Sequence, residues 1–520
     1  MNVDRFQILF AMVLYISAVI CIGLYYAKRA SQSSHNYLIG GRSLGPWVTA
    51  MAAEASDMSG WLLMGLPGLA YWSGLGEAFW TALGLCIGTY LNWLLVARKL
   101  RVYSHVAGDA ITIPDFLSNR FKENKKVIMT IAALFILIFF TFYAASCFVA
   151  VGKLFSMLFN TKYIYAMIIG ALFVVSYTFI GGFLAESASD FMQGTIMFIA
   201  LTVVLISGIV FAGGFGAIVS KTQAIPGFLG IFSIAQPQIA DEVQLTQNNV
   251  PVFDKPIHLD WLYIISTLSW GLGYFGMPQV LIKFMAINHS NNIKFSRRIA
   301  TVWVIISLTA AVIIGITGRI LFPNAFLTQS ASENIFILMS TEFFIPIIAG
   351  VVLAGILAAT ISSADSYLLI AASSVSKNIF KGIYKREADD KTVLRITRLT
   401  LLIISLIAMI FALDENSVIF KVVAFAWAGF GATFGPIMLF SLYWERTTRA
   451  AAIAGMIAGG TTVVIWKVLL SRLGGVFAIY ELLPAFVISC IVIVVVSLMT
   501  KEPSEEIRKE FNLIKTYKAV

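Results

Sequence analysis

Charge is scarce in this chain. Aspartate, glutamate, lysine and arginine together make up 12% of its 520 residues, about half the roughly 25% usual in soluble domains. Histidine and cysteine are scarcer still, four of each. His105, His258 and His289 lie in or beside loops, far along the chain from any paired acids, so neither a metal cluster nor a nucleophile with its base can be assembled from neighbours. Cys21, Cys86, Cys147 and Cys490 all fall inside apolar runs without ligand spacing, and read as packing residues. These shortages exclude a disulfide-stapled module and argue against an enzyme.

What is abundant is apolar. The chain is 59% hydrophobic with a mean hydropathy of +0.86, which makes it an all-α polytopic membrane protein. With about 20 residues to a span, thirteen apolar segments start near residues 6, 44, 75, 127, 162, 188, 260, 298, 343, 395, 419, 449 and 479. An odd number puts the termini on opposite faces. Basic residues follow the first segment, and no small-residue cleavage site does, so it reads as a retained helix and not a signal peptide. Residues 1–500 form one transmembrane domain and 501–520 a tail too short for an output domain.

The net charge of +10 raises the question of an acidic partner, and the positions of the cations answer it. Lys28, Arg29 and Arg42 follow the first segment; Arg98, Lys99, Arg101, Arg120, Lys122, Lys125 and Lys126 follow the third; Lys294, Arg297 and Arg298 the seventh. Lys377, Lys381, Lys385, Arg386, Lys391, Arg395 and Arg398 surround the loop after the ninth, and Lys501, Arg508, Lys509, Lys515 and Lys518 lie in the tail. The intervening loops are nearly free of them. By the positive-inside rule the N-terminus is outside and the C-terminus cytoplasmic. The basicity is topological; no nucleic-acid partner and no obligatory protein partner is expected, only membrane lipid. In the cytoplasmic stretch from 98 to 126, Pro114 is placed to open a short helix. The longest external loop, from about 212 to 259, contains Glu242, Gln244 and Asn248 and reads as a solvated cap.

Three interruptions carry the chemistry. The second segment contains Ala55-Ser56-Asp57-Met58-Ser59-Gly60-Trp61, a carboxylate at membrane depth beside helix-weakening residues. The seventh contains Ser269-Trp270-Gly271-Leu272-Gly273-Tyr274-Phe275-Gly276-Met277-Pro278, with too many helix breakers for a continuous helix. The seventh lies five after the second, and paired breaks in corresponding places of two five-span halves point to a carrier's binding site. In the ninth, Ala359, Ser362, Ser363 and Ser366 share a helix face. Such a stripe also suits close helix packing, but Asp365 in the same run favours a site. Tyr143, Trp61, Trp270 and Tyr274 are candidates to wall a compact solute.

Longer runs resemble a known family. Gly40-Gly41-Arg42-Ser43-Leu44-Gly45-Pro46, the run from Ala55 to Gly68, Phe179-Ile180-Gly181-Gly182-Phe183-Leu184-Ala185, Trp270 to Gly276 and Ala426-Trp427-Ala428-Gly429-Phe430-Gly431-Ala432 resemble the sodium/solute symporter family, and within it the sodium/proline branch. The resemblance implies a multi-pass carrier of the cell membrane with thirteen helices. Ten form two inverted five-helix repeats, about 44–212 and 260–471, with one helix before and two after. It implies a sodium site from the backbone of Ala55 and Met58 facing Ala359, Ser362 and Ser363, with Asp57 required for binding or coupling. Ser59, Gly60, Trp61, Tyr143, Trp270, Gly271, Tyr274 and Pro278 match positions associated with proline. Asp190, Asp365 and Ser366 resemble a second sodium site of some members, while Asp190 can equally pair with a cytoplasmic basic residue.

Carbonyls and hydroxyls suit a hard cation, and an aromatic wall suits a small zwitterion with an apolar ring. The implied activity is sodium-coupled symport of L-proline by alternating access. The alternatives are another small amino acid or a carboxylate such as pantothenate, a proton in place of sodium, and a membrane solute sensor. The chain departs from the branch at Glu54, where glycine is usual, at Met277, where a polar residue is common, and at Ser363, where threonine is common.

Overall fold

The computed structural model describes residues 3–30, 39–385 and 387–516; Arg386 and Lys518 of the basic pattern lie outside them. The chain is a helical bundle. Its elements are α1 (Val3–Ala30), α2 (Pro46–Gly60), α3 (Leu66–Ser73), α4 (Leu75–Leu91), α5 (Ala97–Val106), α6 (Ile113–Arg120), α7 (Val127–Phe159), α8 (Tyr163–Ala212) and α9 (Phe215–Thr222). After short strands come α10 (Trp261–Leu268), α11 (Pro278–Ala286), α12 (Ile293–Leu321), α13 (Gln329–Ser332), α14 (Ile335–Phe343), α15 (Pro346–Ser373), α16 (Asp390–Phe411), α17 (Ile419–Tyr443), α18 (Arg449–Val468), α19 (Leu482–Met499) and α20 (Glu505–Thr516). Ten helices among the described residues are long and apolar enough to cross a membrane.

Three segments miss that criterion: Tyr163–Phe179, which is shorter, and two that are interrupted. The second apolar segment is α2 and α3, joined by a widened turn over Trp61–Gly65. The break falls at Ser59, whose φ of 46° and ψ of −170° no helix accommodates. The seventh is α10 and α11, separated by a tight turn at Ser269–Gly276 and by extended Met277. Proline opens α11, where its missing N–H costs nothing.

Helix α8 is hydrogen-bonded over 50 residues, which would span about 75 Å if straight. It is bent instead. The Tyr177 hydroxyl donates to Ser189 Oγ at 2.8 Å, whereas residues twelve apart on a straight helix stand about 18 Å apart, beyond the reach of the two side chains. Its arms, Tyr163–Phe179 and Phe183–Ala212, are both apolar.

At the centre lies α15, buried along most of its length and packed against α1, α2, α7 and α8. Its small residues let these helices approach closely: a methyl on Gly355 would press the Ala200 side chain at 2.8 Å. Outward positions on α16 and α19 are Leu, Ile and Val, as expected where lipid is the solvent. All four cysteines are free.

Two connections hold more structure than their composition suggests. The segment between α9 and α10 forms three antiparallel strand pairs, the longest being β1 (Ser233–Pro237) with β6 (Phe253–His258). Gln244, expected in a solvated cap, is buried; its side chain bonds Val252 O at 3.0 Å and accepts from Arg319 at 2.7 Å. The turn at Gly40–Arg42 is a clasp. Arg42 donates to Asp109 at 2.9 Å, Met285 O at 2.6 Å and Ala110 O at 2.8 Å, tying the start of α2 to the ends of α5 and α11.

Candidate functional site

The break in α2 meets the serine face of α15. Ser362 Oγ donates to Ala55 O at 2.8 Å and approaches Ala359 O at 3.1 Å; Ser363 Oγ reaches the same Ala55 carbonyl at 3.3 Å. Residues three hundred positions apart thus bring two carbonyls and two hydroxyls together in a dry interior. This is an oxygen-only donor set of the kind a small hard cation takes. Met58 O lies at the break and accepts from Trp61 N–H, which also bonds Ser59 Oγ at 3.2 Å.

The Asp57 side chain points elsewhere. Its Oδ1 accepts from Gln279 Nε2 at 3.1 Å, linking the break in α2 to the first turn of α11. Its backbone carbonyl accepts from two stacked tyrosines, Tyr143 and Tyr367, each at 3.3 Å, with their rings 4.2 Å apart. Tyr367 and Gln279 escaped the sequence reading. Both sit one position beyond a residue it named, Ser366 and Pro278, and polar residues in an interrupted span were the available signal.

Beyond Gly60 an aromatic wall closes the site. Trp61 stacks on Phe420 at 5.8 Å and tilts against Trp270 at 5.6 Å; Trp270 in turn stacks on Tyr480 at 5.0 Å. Trp427 donates to Trp270 O at 2.8 Å and meets Tyr274 edge-on at 5.0 Å. On the far side of this wall is a cavity of about 240 Å³ bordered by Trp270, Phe420, Tyr263, Lys421 and Glu481. The indole N–H of Trp61 and the hydroxyl of Tyr274 are buried without a protein partner, and such groups ask for a polar ligand or water.

Gly271 does not join the wall. A methyl on it would strike the Gly84 carbonyl, and one on Gly88 would strike Gly271, so the broken segment lies backbone to backbone on α4. Glycine here serves close approach.

Asp190, Asp365 and Ser366 come together, but with company the sequence reading did not assign. Lys283 of α11 places its Nζ 2.7 Å from Glu186, 3.0 Å from Asp190 and 3.1 Å from Ser187 Oγ. Ser366 donates to Glu186, and Asp365 accepts from the Ser366 amide at 2.8 Å. The partner of Asp190 is therefore the buried Lys283 of α11 and not, as expected, a cytoplasmic basic residue. A lysine inside the apolar run from 280 to 286 was itself a signal.

A second buried pair seals the opposite end. Lys153 of α7 contacts Glu333 at 2.7 Å and the Ser417 carbonyl at 2.8 Å. Glu333 caps α17 through the amides of Ile419 and Phe420, each at 3.0 Å. A methyl on Gly68 of α3 would press the Glu333 backbone at 2.7 Å, so α3, α7, α13 and α17 meet at this carboxylate.

Comparison with known proteins follows the same outline. A model of the "Sodium:solute symporter family" matches residues 37–459. Curated "Sodium/proline symporter" proteins of Staphylococcus aureus, from strains USA300 and NCTC 8325 among others, are 39% identical over 507 residues, 96% of this chain and 94% of theirs. Among solved structures, a Na+-coupled sialic acid symporter in a substrate-bound outward-open state superposes with a TM-score of 0.74 at 17% identity, covering 96% of this chain and 99% of that one. MhsT in complex with L-phenylalanine gives 0.53 at 14% identity, covering 87% and 97%. These two likenesses concern the fold.

Proposed function

Because this chain belongs to the sodium:solute symporter family, we propose that it carries L-proline into the cell together with sodium, by alternating access and without chemical conversion of the solute. The observation that carries this reading is the convergence of Ser362 and Ser363 on Ala55 at the break in α2, beside the wall of Trp61, Trp270 and Phe420. Sodium takes the carbonyls of Ala55, Met58 and Ala359 with the two hydroxyls. Asp57 supplies the nearby negative charge, and Gln279 passes its state to α11.

Proline sits between the two broken helices. Its ring lies against Trp61, Trp270 and Tyr274, and Ser59, Gly60, Tyr143 and Pro278 line the remainder. The relatives named for proline supply the solute. Sodium and solute share the break in α2, so each stabilises the arrangement the other needs. Lys283 gives the Asp190 cluster a cation of its own, so sodium is not placed there.

In this reading the spans number thirteen, the repeats are about 44–212 and 260–471, and the N-terminus is outside with the tail in the cytoplasm. Ions falling through 100 mV then sustain a solute gradient of some tens of fold per charge.

Purified protein in liposomes tests the proposal. L-proline accumulates when sodium is driven inward and fails to do so when choline replaces it. Uptake unchanged in choline, or accumulation of another amino acid or of pantothenate while proline stays out, overturns it.

A further inference from the structure

Two carboxylates one helical turn apart on α2 face the interior with no cation against either. Glu54 and Asp57 are 1% and 2% exposed, and among the described residues no lysine, arginine or histidine forms an ion pair with them or acts on them. Lys283, one turn beyond Gln279, is held by Glu186 and Asp190. The cation invoked above at Ala55, Ser362 and Ser363 answers one of the two charges. A zwitterionic solute adds none.

Around Glu54 and Asp57 lie buried oxygens that make no close hydrogen bond within the protein. They are Glu54 Oε2, Thr89 Oγ1, Asn92 Oδ1, the Tyr274 hydroxyl and Gln279 Oε1, on residues no more than 1% exposed. Three hydrogen bonds hold Glu54, Asn92 and Gln279 in place, each to a different partner. Trp93 Nε1 donates to the other Glu54 oxygen at 3.3 Å, Asn92 Nδ2 to Tyr274 O at 3.0 Å, and Gln279 Nε2 to Asp57 at 3.1 Å. The Tyr274 ring end faces Thr89 and both carboxylates.

The two amides cannot be turned round. A backbone carbonyl only accepts, so the Asn92 nitrogen must face Tyr274 O and its oxygen is left bare; with Asp57 ionised the same holds for Gln279. Buried acceptors stranded in this way destabilise a fold unless something donates to or binds them. All five atoms are oxygens, from one carboxylate, two amides and two hydroxyls, the donor set of a monovalent hard cation.

We propose that Glu54, Thr89, Asn92, Tyr274 and Gln279 form a second sodium site beside Asp57, so that two sodium ions accompany each solute. The proposal rests on the symport reading above. It differs in place from the Asp190 cluster, which lies around Lys283. A second charge raises the attainable accumulation about fortyfold for each 100 mV of membrane potential.

Radioactive sodium binding to the full-length purified protein, without solute, counts the ions. Two per molecule are expected, falling to one in Glu54→Gln, whose folding is checked by thermal unfolding. Thr89→Val keeps the carboxylate and loses one ligand, so it should bind two ions with the weaker affinity reduced about tenfold, the equivalent of one hydrogen bond to a charge.

In proteoliposomes the sodium Hill coefficient for proline uptake falls from near two to near one in Glu54→Gln. One ion per wild-type molecule, two in Glu54→Gln, or an unchanged affinity in Thr89→Val overturns the site. So does uptake that moves one sodium and one proton. Two bound ions without any proline uptake would instead sink the symport reading and leave the site standing; proline uptake with a single ion does the reverse.

Discussion

At the scale of single residues, the site depends on polar groups that have no water to fall back on. Ser362 is the clearest case, because its hydroxyl serves both Ala55 O and Ala359 O. Ser362→Ala should weaken sodium binding about tenfold, which corresponds to one lost contact to a charge. The sodium dependence of thermal stabilisation measures it, and an unchanged dependence removes Ser362 from the ligand set. Lys153 makes the opposite kind of contribution. Lys153→Met strands the Glu333 carboxylate and should cost about 3–5 kcal/mol, read as a fall in thermal stability. The double variant Lys153→Met with Glu333→Gln should recover part of that loss, since the stranded charge is gone.

Residue identity was legible where chemistry is local. Asp57 in an apolar run, and hydroxyls spaced to share a face of α15, can be read directly. Gln279, Tyr367 and Lys283 could not be placed, because their partners arrive from other helices: Asp57 stands 222 positions from Gln279, and no periodicity encodes a contact of that range.

Among elements, the two interrupted helices and the bent α8 set the architecture. The breaks were visible in advance because glycine, serine and proline weaken a helix wherever they cluster. The bend in α8 was visible only as a gap between apolar segments. The strand pairs before α10 were not visible at all, since short pairs in a polar loop lack any alternation long enough to read.

The clasp at Arg42 joins three elements and carries a pH dependence. Burial, the largest influence on Asp109, raises its carboxyl, but the hydrogen bond from His105 and the Arg42 guanidinium outweigh it and hold the group below the ordinary value of 3.8. A lowered carboxyl stabilises the fold at pH above its unfolded value, and that contribution disappears as pH falls through the folded one. Thermal unfolding of wild type should therefore lose more stability between pH 5 and pH 3 than Asp109→Asn does, in the range about the ordinary carboxylate pKa. Parallel curves would show that the clasp does not depend on this charge.

For the molecule as a whole, composition settled the class, and the alternation of basic loops gave an orientation that labelling can test. A single cysteine introduced near residue 505 should react with a membrane-impermeant reagent only after the cytoplasmic face is opened, and one near residue 245 in intact cells. The reverse pattern overturns the topology.

The tail is more than a trailing end. Helix α20 folds back so that Phe511 is buried under the Arg120 guanidinium, 5.2 Å away, while Lys122 reaches Glu510 at 2.5 Å. Phe511→Ala should release it, at a local cost of about 3 kcal/mol, seen as faster proteolytic trimming after residue 500.

The contact between α4 and the broken segment at Gly271 has a mechanical consequence. Interlocked side chains act like gear teeth, and sliding one helix past another means disengaging them. Gly84, Gly88 and Gly271 present bare backbone to one another, a smooth bearing on which the half-helix holding Tyr274 and Pro278 can swivel with nothing to unmesh. In the alternating-access reading a single methyl added at any of the three meets backbone and is expected to slow turnover.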